Sequence, residues 1–66
     1  MRLQLNGETR DLDDGATLSA MIETIAGSTR GTAVVVDGEV VPRSEWPDYQ
    51  LRSGQAVELI TAVQGG

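Results

Sequence analysis

Thr17-Leu18-Ser19-Ala20-Met21-Ile22-Glu23-Thr24-Ile25-Ala26-Gly27 is the one stretch of this chain with sustained helical periodicity. Leu18, Met21, Ile22 and Ile25 fall at i, i+3, i+4 and i+7, a single apolar stripe, and Ala26 joins that face. Glu23 and Thr24 point the other way. Thr17 is a good N-cap, because its hydroxyl can accept from a free amide of the first turn, and Gly27 ends the helix. About ten residues make a helix that is marginal alone. The stripe therefore reads as a core face, and something else in the chain must cover it.

Upstream, Arg2-Leu3-Gln4-Leu5-Asn6 alternates, so Leu3 and Leu5 share one face of a half-buried strand. Asn6-Gly7 is a hairpin signal, since both residues tolerate positive φ. Glu8-Thr9-Arg10-Asp11-Leu12 returns as a short polar strand suited to a sheet edge, where charges discourage unwanted pairing. Asp13-Asp14-Gly15 breaks it. The carboxylates of this acidic loop, Asp11, Asp13 and Asp14, read as solvated groups rather than a catalytic pair.

Downstream, Ser28-Thr29-Arg30-Gly31 is a loop and Thr32-Ala33-Val34-Val35-Val36 is a β-branched run, apolar on both faces. Asp37-Gly38 turns the chain, Glu39-Val40-Val41 comes back, and Pro42 ends that strand by removing a donor. Ser44-Glu45-Trp46-Pro47 reads as one helical turn capped by Ser44, with Trp46 as a lid on the edge of the core. Tyr49-Gln50-Leu51 connects, Leu51 inward, and Arg52-Ser53-Gly54-Gln55 is a tight turn into the last strand.

That last strand, Ala56-Val57-Glu58-Leu59-Ile60-Thr61-Ala62-Val63, runs through Gln64 into Gly65-Gly66. Val57, Leu59, Thr61 and Val63 lie on one side and are assigned to the core as far as Leu59. Ile60 and Ala62 then sit outside. With Val35, or else Val34 or Val36, they form a candidate partner surface. Glycine lets both sides of the backbone be enclosed closely, and a terminal glycine carboxylate has no side chain hindering attack at its carbonyl. Three residues beyond Val63 span at most roughly 10 Å, enough to enter a narrow channel. The alternative is a terminus that is merely frayed.

The order of elements predicts an α+β fold: a β-grasp, or ubiquitin-like, mixed sheet of four to five strands with one helix packed across it. The first and last strands lie side by side and parallel, joined through the helix. Sixty-six residues make one domain, 1–66, with a flexible tail at 64–66. Such a chain leaves little room for a deep active site of its own.

Composition excludes several classes of function. There is no cysteine, hence no disulfide or thiol nucleophile, and no histidine, hence none of the commonest zinc and general-base chemistry. A net charge of −5 with a pI near 4.3 argues against nucleic acid and anionic membranes and permits a basic protein partner. No apolar run approaches the ~20 residues of a membrane span, and the alternating N-terminus is unlike a signal peptide. The expectation is a cytoplasmic protein, monomeric when free. All five cations are arginine, so an activated C-terminus would find no ε-amine on its own chain.

Asn6-Gly7, Ala16-Thr17-Leu18, Val40-Val41-Pro42-Arg43 followed by Trp46, and Thr61-Ala62-Val63-Gln64-Gly65-Gly66 together give the chain a wider likeness. Over its whole length it resembles the small sulfur carriers of the ubiquitin-like superfamily, the ThiS/MoaD family, and within it the carriers of thiamine biosynthesis most closely. It departs from them at Ser53-Gly54-Gln55, where the family usually has Asp-Gly-Asp.

The resemblance implies a carrier rather than an enzyme, with no catalytic residue, no metal site and no bound cofactor. A ThiF-type adenylating enzyme would use ATP and Mg to convert the Gly66 carboxylate into an acyl-adenylate. A persulfide relay fed by a cysteine desulfurase would turn that into a thiocarboxylate. A ThiG-type thiazole synthase would then receive the sulfur. Gln64 and Gly65 would be the tail that threads Gly66 into these partners. The alternatives are a carrier for molybdopterin or another metabolite, a ubiquitin-like protein modifier, and a β-grasp interaction domain with incidental glycines.

Overall fold

In the computed structural model, which describes residues 1–27 and 31–61, the alternation of the N-terminal segment becomes strand β1, Arg2–Leu5. The return strand is β2, Glu8–Asp11. Helix α1 spans Leu18–Ala26, followed by β3, Thr32–Val36, and β4, Glu39–Val40. A 3₁₀ helix covers Arg43–Asp48, and β5 spans Ala56–Thr61. The sheet order is β2-β1-β5-β3-β4. β1 and β5 run parallel, with Gln4 opposite Ala56 and Leu5 opposite Val57. The other pairings are antiparallel. This is the expected β-grasp with five strands, and the last strand to form in sequence lies at its centre.

Both hairpins close with the residues the sequence assigns to them. Asn6 and Gly7 take φ 51° and 82°, Asp37 and Gly38 φ 50° and 86°. Two consecutive positive φ values make the turn twist with the flanking strands.

Thr17 caps α1, its hydroxyl oxygen accepting from the Ala20 amide at 3.2 Å, and Gly27 ends it in the left-handed region. Leu18, Met21 and Ile22 are buried. Ile25 is 36% exposed, so the stripe's last member lies at the rim rather than inside. Periodicity fixes the angle of a residue around the helix axis but not how far along that axis the sheet extends. The side chain of Ala26, assigned to the same face, lies outside what is described.

From the sheet, Leu3, Leu5, Val34, Val36 and Val57 join the helix residues Leu18, Met21 and Ile22 in one buried cluster. Val41, Trp46 and Leu51 close the end of the core. Trp46, 2% exposed, donates its indole N–H to the Val41 carbonyl at 2.9 Å. It is the lid the sequence suggested, with its one polar atom satisfied. The Arg43 guanidinium stands over its ring, 5.6 Å from the centroid. The connector is strapped to the helix start: Leu18 N–H donates to the Tyr49 carbonyl at 3.0 Å and Leu51 N–H to that of Ala16 at 2.9 Å.

The cap assigned to Ser44 is corrected. The N-cap of the 3₁₀ helix is Pro42, without a side-chain cap bond, and the Glu45 amide donates to the Pro42 carbonyl at 2.9 Å. Each bond of a 3₁₀ turn spans three residues, so this bond places Ser44 inside the first turn. Pro47, taken as the end of the turn, also lies within the helix.

Candidate functional site

Gln64, Gly65 and Gly66, on which the tail reading rests, and Ala62 of the candidate partner surface lie outside the described residues, as does Val63. What the structure does describe is the strand that leads to them. β5 is held on both sides. Toward β3 it is paired from Val57, opposite Val36, to Thr61, opposite Thr32. Toward β1 the register ends at Leu5 opposite Val57, because the chain turns away at Asn6-Gly7.

Two turn residues extend these ladders with their side chains. Asn6 gives its amide to the Val57 carbonyl at 2.8 Å. In a regular parallel ladder its carbonyl would then accept from Leu59. With Asn6 at φ 51° the chain is already turning, and the Leu59 amide is bound instead by Asn6 Oδ1 at 2.9 Å. Asp37 does the same on the other edge. Its amide donates to the Ala56 carbonyl at 2.8 Å, and its Oδ1 accepts from the Ala56 amide at 2.9 Å. Sequence reasoning placed both residues in turns but missed these bonds. The available signal was their type: Asn and Asp carry an acceptor close to the main chain.

The strand alternates as assigned: Val57 is buried and Leu59 packs against the core, whereas Glu58 and Ile60 are exposed. Ile60 is 56% exposed. It stands opposite Ala33, and Glu58 stands opposite Val35. Because Val34 and Val36 are buried, the choice left open for β3 falls on Val35, which is half-buried on the face away from the helix. Val40, missed earlier, pairs with Val35 and is 73% exposed. The two-residue turn at Asp37-Gly38 already implies it: counting back across the hairpin puts Val40 opposite Val35. Ala33, Val35, Val40 and Ile60 thus share an uncovered sheet face with Glu58 beside them.

Two open depressions occur elsewhere, one of about 560 Å³ lined by residues such as Tyr49, Arg52 and Gln55, the other of about 250 Å³ between Leu12, Met21 and Ile25. Neither includes a residue of that apolar group. Among the described residues no three His, Cys, Asp or Glu side chains come together to hold a metal, and no helix is long and apolar enough to cross a membrane.

One helix across a five-stranded mixed sheet whose central strand leads to the C-terminal residues defines the ubiquitin-like β-grasp class. The crystal structure of a thiamine biosynthesis protein (ThiS) from Geobacter metallireducens has the same fold. It superposes with a TM-score of 0.82 over the whole of both chains at 23% identity. The ThiS family model matches residues 3–66, and the chain belongs to that family. A sulfur carrier protein ThiS from Thermus thermophilus is 40% identical over 62 residues, covering 94% of this chain and 95% of the relative. A thiazole synthase from Paramagnetospirillum magneticum is 29% identical over 66 residues, all of this chain but 20% of that protein.

Proposed function

We propose that this chain carries sulfur to a thiazole synthase in thiamine biosynthesis, as a thiocarboxylate on Gly66. The observation that carries the reading is the pair of full-span likenesses. One is to a free-standing protein named as a sulfur carrier. The other is to one fifth of a protein named as a thiazole synthase. A carrier segment inside the same polypeptide as a synthase is what a dedicated donor–acceptor relationship would produce.

The chemistry follows from the weakness of a carboxylate as an electrophile. A ThiF-type enzyme joins the Gly66 carboxylate to the α-phosphate of Mg-ATP, releasing pyrophosphate and leaving AMP as a good leaving group. The terminal sulfur of a persulfide, fed by a cysteine desulfurase, then attacks the acyl carbon and expels AMP, giving an acyl disulfide. A thiol attacks the other sulfur of that S–S bond, releasing the thiocarboxylate and leaving a disulfide. The net change is one carboxylate oxygen exchanged for sulfur. The product keeps sulfur nucleophilic and tethered, and a ThiG-type synthase takes it. ATP and magnesium belong to the partner, and this chain serves as protein substrate rather than catalyst.

In this reading the partners dock on the uncovered sheet face around Ile60 and Val35, and Ala62 is a further residue they contact. Exposed apolar side chains next to an acidic residue suit a partner with an apolar seat and basic surroundings. Gly65 and Gln64 thread Gly66 into the adenylation site.

Intact mass after incubation with a ThiF-type enzyme, a cysteine desulfurase, cysteine, a thiol reductant and Mg-ATP tests this. A gain of one oxygen-for-sulfur exchange, mapped to Gly66 and consumed by thiazole synthase, is expected. Deleting Gly66 should abolish the gain and leave the unfolding curve in place. An unchanged wild-type mass, with the same partners active on another carrier, would rule the reading out.

A further inference from the structure

We propose that Asn6 is a positioning residue for the tail: its side chain fixes the direction in which β5 leaves the sheet. The inference rests on the carrier reading above. β1 releases β5 after Val57, and the bond from Asn6 Oδ1 to the Leu59 amide at 2.9 Å is the last described hold on that side. Beyond it, among the described residues, only β3 pairs with the strand, through Ile60 and Thr61. A strand bonded along one edge alone can swing about that edge. Ile60 and Thr61 are the described residues beyond that bond, so the direction set at Leu59 is the direction from which residues 62–66 start toward a partner. Misplacing a reacting group by about 1 Å can cost up to roughly 100-fold in rate.

The matching bond at the other turn, from the Ala56 amide to Asp37 Oδ1 at 2.9 Å, holds the start of β5. It is chemically the same rung at the opposite end of the strand, away from the residues that lead to Gly66. The pair therefore separates positioning from general stability.

The test compares Asn6→Gly, Asn6→Asp and Asp37→Gly. Glycine keeps the positive φ of either turn without strain and removes only the acceptor; aspartate at position 6 keeps the acceptor. Three readings are taken on each protein: hydrogen exchange of the Leu59 amide, urea unfolding, and the rate of sulfur loading at Gly66 by intact mass. For Asn6→Gly we expect faster Leu59 exchange and about tenfold slower loading at saturating carrier, with little change in KM because the docking face is intact. Asn6→Asp should restore both. Asp37→Gly should lose similar stability and load at the wild-type rate.

Four results would overturn the proposal. Leu59 exchange could be unchanged in Asn6→Gly, so that the rung is absent in solution. Asn6→Gly could load like wild type, Asn6→Asp could load as slowly as Asn6→Gly, or Asp37→Gly could slow loading as much as Asn6→Gly. If wild-type protein itself takes no sulfur, the carrier reading fails, and the positioning role with it; Leu59 exchange distinguishes that case, since it still reports the rung.

Discussion

On one side of β5, Val57 is 1% exposed and packs with Leu3, Val34 and the helix. On the other, one residue further along, Glu58 is exposed, and Ile60 keeps 56% of its surface. The same strand thus presents a sealed face and an open one, in strict alternation. The sealed face carries the burial on which so small a domain depends, at about 25 cal/mol per Å² of apolar area. The open face contributes little to folding, and its apolar residues gain burial only when another protein covers them. With partners docking on the open face as proposed, folding and docking are separable by mutation, face by face.

The largest expected effect tests the sealed face. Ile22→Ala removes a side chain with 0% exposure and should cost about 2–5 kcal/mol. A domain of this length has roughly 3–10 kcal/mol in total, so the variant should be partly or wholly unfolded in a urea titration at room temperature. A loss below about 1 kcal/mol would mean that the helix face is not the core.

Trp46→Phe asks whether the closed end of the core depends on its polar bond as well as its bulk. The ring area is largely kept, but the Val41 carbonyl loses its indole partner. A buried group left unpaired costs about 1–3 kcal/mol. A midpoint shift in urea at constant m-value checks this.

Ile60→Glu moves to the open face. Away from the core, substitutions usually change stability by no more than about 0.5 kcal/mol. The new charge beside Glu58 should nonetheless weaken partner binding about tenfold, because a buried apolar anchor at an interface is worth about 1–2 kcal/mol or more. Binding titration against the proposed ThiF-type partner measures it. If this variant unfolds while its affinity per folded molecule is unchanged, the two faces are not separable.

How much of this was readable beforehand depends on what each residue's pattern encodes. The stripe Leu18, Met21, Ile22 and the alternation of Leu3 and Leu5 state their own facing, and the paired residues Asn6-Gly7 and Asp37-Gly38 state their own turns. Val34, Val35 and Val36 do not, since three valines in a row are equally apolar on both faces; only pairing with β5 sends Val35 outward. Ser44 looked like a cap because its type is right, but Pro42 had already supplied the first carbonyl of the turn. The Asn6 and Asp37 rungs were legible in residue type but not in periodicity. Periodicity describes which way a strand residue points, and these residues act after the strand has ended.

The smallest expected effect sharpens the boundary of the open face. Val40 is more exposed than Ile60, at 73%, yet it lies on a two-residue edge strand and pairs only with Val35. If exposure alone set the contribution to docking, Val40→Ser would weaken partner binding more than Ile60→Ala. Interfaces place their strongest contacts at the centre, where the surroundings exclude water, and leave the periphery nearly neutral. Ile60 is near the end of β5 that leads to the tail, and Val40 is two strands away, across β3. Val40→Ser should therefore change affinity by no more than about twofold and stability by less than about 0.5 kcal/mol, while Ile60→Ala costs more. The same binding titration decides it. A larger loss at Val40 would move the centre of the docking surface toward the β3–β4 edge and away from the tail.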